Sequence, residues 1–296
     1  MEGIFGDVAT AMITPFAIDG TLDLDGAAVL AKYLAAHGSD ALVVSGTTGE
    51  SPTLRREEKL DLFAAVVESV GDTVKVIAGT SSPDTQASVR LTEDATRLGV
   101  HGILAVSPYY SKPPQRGLVA HFRAIADATD QPVLLYDIPG RTSVSLSFDT
   151  YATLAEHPQI VGVKEATHSC AHVSDLVGVC GEEFFIYSGD DAATLPYLSL
   201  GACGVVSVAS HVAGPQIGEM IRAYKSGAVT EARKRHYELL PLVKTLFADA
   251  SPIPVKAAVR KLGLPAGEVR PPLQPIEADL SARLDAILAG YGNDLQ

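Results

Sequence analysis

The 296-residue chain carries 35 acidic and 23 basic side chains, a formal net charge of −12, and is 47% hydrophobic and 20% charged. A core of that size excludes a disordered or fibrous protein, and the acidic balance without any basic run argues against nucleic acid as a partner. Three cysteines, Cys170, Cys180 and Cys203, do not make a disulfide framework, so a reducing cytoplasm is the expected compartment.

The N-terminal stretch MEGIFGDVATAMITPF has no Lys or Arg before Lys32, unlike the basic start of a secretory signal. Short apolar runs then recur at Val8–Ile13, Ala41–Ser45, Val74–Ala78, Gly102–Val106, Val133–Tyr136, Ile160–Lys164, Phe184–Tyr187 and Gly204–Val208. They are apolar throughout rather than alternating, the pattern of parallel strands covered on both faces. Helical stretches lie between them. Arg56–Val70 places Leu60, Phe63, Ala64 and Val67 on one stripe, with Glu57, Glu58, Lys59, Asp61 and Glu68 off it. Gln86–Leu98 and Arg116–Ala128 are similar, and Asp84, Thr85 and Ser210 are candidate N-caps. From Ala192 to Gly218 no residue is charged, which is long enough for a bilayer. Its prolines, glycines and His211 make helix, buried strand, helix the better reading, with no membrane partner.

Eight strand–helix alternations over about 225 residues are the rhythm of an α/β protein of the (β/α)8 TIM-barrel class. A doubly wound sheet is the alternative, but no G-x-G-x-x-G follows the first strand. After Lys225 the pattern is helical only: Val229–Leu246, Pro254–Leu262 and Glu277–Ala289. Residues 1–225 are therefore expected to form the barrel and 226–296 a C-terminal helical extension packed on it, too small to bury a core alone.

A barrel carries its chemistry at the C-terminal ends of its strands. Five segments should converge there: SGTTGES (45–51), SPYYSKPP (107–114), YDIPGRT (136–142), GVKEA (162–166) and SGDD (188–191). Lys164 ends an apolar run, and strand alternation turns Glu165 to the opposite face. An amine aimed into the mouth without a carboxylate partner is a candidate nucleophile, because desolvation favours its neutral form; a snorkelling strand-end lysine is the alternative. The Gly46–Ser51 loop is either an anion-holding turn or an ordinary helix lead-in, and is not a Walker loop. Tyr136 is a candidate proton carrier or a core aromatic. Arg141, after a Pro-Gly turn, suits carboxylate capture or solvent. Tyr109 and Tyr110, being consecutive, face apart, so that one serves this barrel and the other reaches a neighbouring subunit, or both form an oligomer contact. His168, Cys170 and His172 put two imidazoles four residues apart on one helix, but no third ligand stands at a recognised spacing and no metal is expected. A G-x-S-x-G elbow is absent.

With G-T-T-G-E-S, S-P-Y-Y, Y-D-I-P-G-R-T, V-G-V-K-E and S-G-D-D in this order, the chain resembles the dihydrodipicolinate synthase branch of the pyruvate-dependent class I aldolases, from Ala9–Phe16 to Pro252–Lys256. The resemblance implies a barrel with a helical extension, assembled as a homotetramer that is a dimer of dimers. It implies a lyase of lysine and diaminopimelate biosynthesis, in which Lys164 forms a Schiff base with pyruvate and attack falls on L-aspartate-4-semialdehyde. Thr48 would hold the pyruvate carboxylate and Tyr136 would carry protons. Thr47 would link Tyr136 to Tyr110 of the adjacent subunit, and Arg141 would bind the semialdehyde carboxylate. Gly189 and Val206 would face the substrate, and no cofactor would be needed. Asp137 and Gly140 stand where relatives often have Asn and Ser. At positions matching the lysine-feedback site, Arg56 and Lys59 add charge, and Pro83 and Ala87 replace an amide and a carboxylate, so little inhibition by lysine is expected. The rival readings are another Schiff-base aldolase, acting on N-acetylneuraminate or 2-keto-3-deoxy sugar acids, and a non-enzymatic barrel.

Overall fold

A computed structural model describes residues 3–291. Its eight parallel strands close in sequence order into a barrel, the first pairing with the last through Val8↔Val205 and Ala9↔Val206. The strands are β1 (Val8–Ala11), β2 (Ala41–Val44), β3 (Lys75–Gly79), β4 (Gly102–Val106), β5 (Val133–Asp137), β6 (Ile160–Glu165), β7 (Phe185–Ser188) and β8 (Gly204–Ser207). Almost every strand residue is buried, as expected where side chains fill the barrel on one face and meet helices on the other. The first strand is shorter than the apolar run that announces it. Beyond Met12, whose N–H still reaches the Val43 carbonyl, the chain leaves the ladder: Ile13 N–H donates to His211 and the Thr14 hydroxyl to the Gly49 carbonyl, 2.6 Å away.

Helices α1 (Leu24–Ala36), α2 (Arg56–Val70), α3 (Thr85–Arg97), α4 (Gln115–Ala126), the short α5 (Pro139–Thr142), α6 (Phe148–Ala155), α7 (Cys170–Cys180), α8 (Thr194–Leu198) and α9 (Ser210–Lys225) intervene between strands or follow the last. The uncharged 192–218 stretch resolves into α8, β8 and the start of α9, and no described helix is long and apolar enough to cross a membrane. Asp84 caps α3 by accepting from Gln86 N and Ala87 N. Thr85 and Ser210 are first helical residues rather than caps; the Ser210 hydroxyl bonds to Thr10 instead, which a sequence cannot show. The buried face of α2 also differs from the predicted stripe. It is Glu58, Leu62, Phe63, Val66 and Val70, turned so that a carboxylate lies inside, and a cation from far along the chain meets it there. Helices α10 (Val229–Leu246), α11 (Ile253–Lys261) and α12 (Ala278–Leu288) follow, with α10 packed along α9 and both α10 and α11 against α12.

Backbone strain is distributed unevenly. The non-glycine residues with positive φ among those described are Ser45, Glu50, Tyr110, Lys112, Ser143 and His168, all in loops that follow strands. At the opposite rim the chain turns from helix to strand through residues such as Gly99 and Gly181, for which a left-handed conformation has no Cβ penalty.

His211 ties the mouth of the barrel together. It is fully buried, its Nδ1 donates to the Val208 carbonyl at 2.9 Å, and its Nε2 accepts from Ile13 N–H at 3.1 Å. Burial pushes its imidazole down to about 4. Unfolding returns the group to its ordinary value near 6.5, so the stability it contributes is complete above that pH and is lost as pH falls towards 4. We expect this group to remove about 3 kcal/mol of unfolding free energy between pH 7 and pH 4. Urea titrations across that range check it: His211→Gln is less stable at pH 7 but has the shallower decline. Parallel curves would refute the assignment.

Candidate active site

The register of β5 and β6 builds the centre of the site. Tyr136 pairs with Lys164, and Asp137 with Glu165. Alternation sends the first pair inward and the second outward towards the helices. Lys164 is 6% exposed and its Nζ lies 4.2 Å from the centroid of the Tyr136 ring. No carboxylate among the described residues forms an ion pair with it. Glu165, fully buried, accepts from Thr167 N–H at 2.7 Å instead.

Lys164 and Tyr136 line a cavity of about 410 Å³ together with Thr47, Thr48, Gly140, Arg141, His168, Gly189 and Asp190. Four residues of the C-terminal part complete it: Val243, Lys244, Phe247 and Ser251. Arg141 and Lys244, both exposed, bring positive charge to the rim of this cavity, against the single carboxylate of Asp190, on a protein that is acidic overall. An anionic ligand is therefore drawn by this local field and not by the net charge.

Two loops set the walls. After β2 the chain turns through Ser45 and Glu50, both at positive φ, and the Thr47 carbonyl accepts Glu50 N–H. The N–H groups of Thr47 and Thr48 find no partner among the described residues, so both are available to a ligand carboxylate. After β5, Asp137 is fully buried and accepts from Ser145 Oγ, Leu146 N–H and Tyr151 OH at 3.0–3.1 Å. This anchors the return of the 138–146 loop and leaves Arg141 exposed at the rim with no acidic partner among the described residues. Burial raises the Asp137 carboxyl above its ordinary range, against the pull of those three donors.

The structure thus gathers Lys164, Tyr136, Thr47, Thr48, Arg141 and Gly189. Two named positions stand apart. Val206 is buried in β8 and is not among the residues lining the cavity, where Val208 stands. Tyr110, at φ +66°, is 94% exposed and does not reach the cavity of its own chain, whereas Tyr109 lines a small recess next to Tyr136. No hydrogen bond joins Thr47 to Tyr136 among the described residues, although both border the cavity and that recess.

The two imidazoles read as sharing a helix face do not share one. Helix α7 starts at Cys170 with Ser169 as its N-cap; His168 precedes it at φ +60° and binds Asp190 Oδ2 at 2.8 Å. His172 lies against Phe148, ring centroids 5.0 Å apart and tilted by 31°. The pattern could not separate a helix start from its cap. Sequence reasoning also missed the wall supplied by α10, because an amphipathic repeat says nothing of what it packs against.

Gly189 brings the backbone against the side chain of Lys164. A Cβ built there would stand 3.2 Å from Lys164 Cγ and 2.9 Å from Ala166 Cβ. We expect Gly189→Ala to keep the fold, read by circular dichroism, and to lower kcat by about ten- to a hundredfold through displacement of the lysine, the scale of an overpacked contact. An unchanged kcat would show that the lysine has room to move.

Comparison with known proteins agrees with this arrangement. The profile of the dihydrodipicolinate synthetase family matches residues 4–290. The 4-hydroxy-tetrahydrodipicolinate synthase of Nostoc punctiforme is 50% identical over 97% of this chain and 98% of its own. Among solved structures, the dihydrodipicolinate synthase of Bacillus anthracis superposes with a TM-score of 0.94 at 45% identity, covering 98% of this chain and 99% of that one. That of Cyanidioschyzon merolae, solved with lysine bound, superposes at 0.95 with 46% identity over 97% and 98%. A closed eight-stranded barrel with its lysine and tyrosine facing one another inside, matched over nearly its whole length, places this chain in the dihydrodipicolinate synthetase family.

Proposed function

We propose that the chain condenses pyruvate with L-aspartate-4-semialdehyde, forming the 4-hydroxy-tetrahydrodipicolinate of lysine and diaminopimelate biosynthesis. The observation that carries this reading is the buried, carboxylate-free amine of Lys164 over the Tyr136 ring, in a cavity that also presents Thr48 and Arg141.

The chemistry follows from those groups. The unprotonated Lys164 amine adds to the ketone of pyruvate, and loss of water leaves a protonated imine. That imine is an electron sink, so a methyl proton departs and an enamine carbon attacks the aldehyde. No metal or organic cofactor is required for these steps. The phenol of Tyr136, against the amine, is the group in reach to carry protons in and out. The free N–H groups of Thr47 and Thr48 suit the pyruvate carboxylate, and the unpaired guanidinium of Arg141 suits the carboxylate of the second substrate. Gly189 forms the floor against the lysine. Tyr110 serves a neighbouring subunit, where Thr47 would connect it to Tyr136, in the homotetramer, a dimer of dimers, that the family resemblance implies; its near-complete exposure supports the contact between subunits. The barrel of residues 1–225 and the helices of 226–296 work as one unit in the cytoplasm.

Borohydride reduction in the presence of pyruvate, followed by peptide mass analysis, tests the reading. The pyruvyl adduct is expected on Lys164, and its absence would favour a non-enzymatic barrel. Turnover of sugar acids in preference to aspartate semialdehyde would favour the other Schiff-base aldolases, against which Arg141 speaks.

Feedback by lysine is expected to be weak. Ser51, Pro52 and Tyr109 line a recess of about 60 Å³, and Lys59 of α2 has no acidic partner among the described residues. Arg56, however, is paired with Asp94, so less uncompensated charge stands there than the sequence implied. A steady-state assay with 1 mM-scale lysine should lose under about half its rate, since like charge disfavours an ammonium ligand; strong inhibition would overturn this.

A further inference from the structure

The loop after β2 is held from a distance. Glu50 stands two residues beyond Thr48, at positive φ and with its side chain only 1% exposed. Its Oε1 accepts from Lys256 Nζ of α11 at 2.8 Å, and its Oε2 from Arg270 N–H at 2.8 Å. Lys256 is 3% exposed, and its second hydrogen bond goes to the Glu268 carbonyl at 2.9 Å. The Arg270 guanidinium takes Glu58 Oε1 at 2.6 Å and Oε2 at 3.1 Å, and donates to the carbonyls of Thr53 and Gly20 at 2.9 Å. It holds the Glu58 carboxyl down to about 2. Lys256 Nζ and Arg270 Cζ each lie 4.1 Å from the Phe16 ring centroid, so two cations and one aromatic ring form a single packed unit.

Such a cluster is not explained by stability. Burying paired charges costs their hydration, and apolar groups of similar size commonly do as well. What a fully satisfied ionic cluster does provide is one geometry: each carboxylate oxygen of Glu50 has a donor fixed on a different segment, and a loop shifted by an ångström would leave a buried charge unpaired. The loop so fixed is the one whose Thr47 and Thr48 line the cavity with N–H groups that have no partner among the described residues.

We propose that Lys256 and Arg270, acting through Glu50, are positioning residues for the ketoacid-carboxylate loop at 46–51, so that the C-terminal helices set the affinity for the first substrate without touching it. This rests on the reading that the loop holds the pyruvate carboxylate, and two independent measurements separate its failure from the failure of that reading.

The first uses steady-state kinetics on Lys256→Met and on the double variant Glu50→Leu with Lys256→Met. The double variant removes both charges and leaves no ion unpaired, so it folds even where the single variant does not. The expected result is a KM for pyruvate raised at least tenfold in the double variant, with the KM for aspartate semialdehyde within about twofold, and recovery towards wild type in Lys256→Arg. A double variant that melts like the wild type and keeps its pyruvate KM overturns the proposal. The second is hydrogen–deuterium exchange of the peptide spanning 46–51, which needs no substrate. Exchange at least tenfold faster in the double variant is expected, and unchanged exchange overturns the proposal. Faster exchange with an unaltered pyruvate KM would keep the mechanical link but reject its role in binding, and so also overturns the assignment.

Discussion

Lys164→Met is expected to reduce turnover by at least about a thousandfold and to abolish borohydride-dependent capture of pyruvate, because the covalent route disappears with the amine. Methionine preserves the length and packing of the side chain in a position that is almost wholly buried. Loss of activity in a variant with an unchanged melting temperature can then be assigned to chemistry. Arginine is the wrong control: it stays charged and cannot form the imine. The second substrate gives an internal check, since the dead variant should still retain aspartate semialdehyde in equilibrium dialysis through Arg141. Residual pyruvyl adduct on another lysine would defeat the assignment of residue 164.

Arg141→Ala separates the two substrates. The guanidinium borders the cavity, is exposed, and has no acidic partner among the described residues. A charge-assisted pair with a carboxylate is worth about 2–3 kcal/mol. The KM for aspartate semialdehyde should therefore rise by about thirty- to a hundredfold, while the KM for pyruvate stays within about twofold. Trapping with borohydride should proceed as in the wild type. Equal losses for both substrates would mean that removing Arg141 disturbs the 138–146 loop, and Arg141→Lys, retaining charge without the planar fork, should fall between the two.

The barrel was legible because parallel strands buried on both faces are apolar without interruption, a pattern that survives any ambiguity in the helices. The strand ends were legible too, since Lys164 and Tyr136 each close such a run. What escaped the sequence was whatever depended on residues far apart in the chain. The burial of Glu58 ran against the expected stripe because Arg270, 212 residues away, compensates its charge. The cavity wall from α10 and the buried pair of Glu50 with Lys256 escaped for the same reason. His168 with His172 was a matter of where a helix begins. That is a boundary question that periodicity leaves open.

The uneven placement of left-handed residues has an evolutionary consequence. At the helix-closing turns glycine already relieves the chain, so little is left there for a stabilising change to find. At five of the six non-glycine positions after the strands, Glu50 with its buried ion pair excepted, substitution by glycine or asparagine would ease the backbone and score well in any screen for thermal resistance. Those positions flank the reactive groups, so that such a screen, run without an activity assay, would enrich for hardier and slower enzymes.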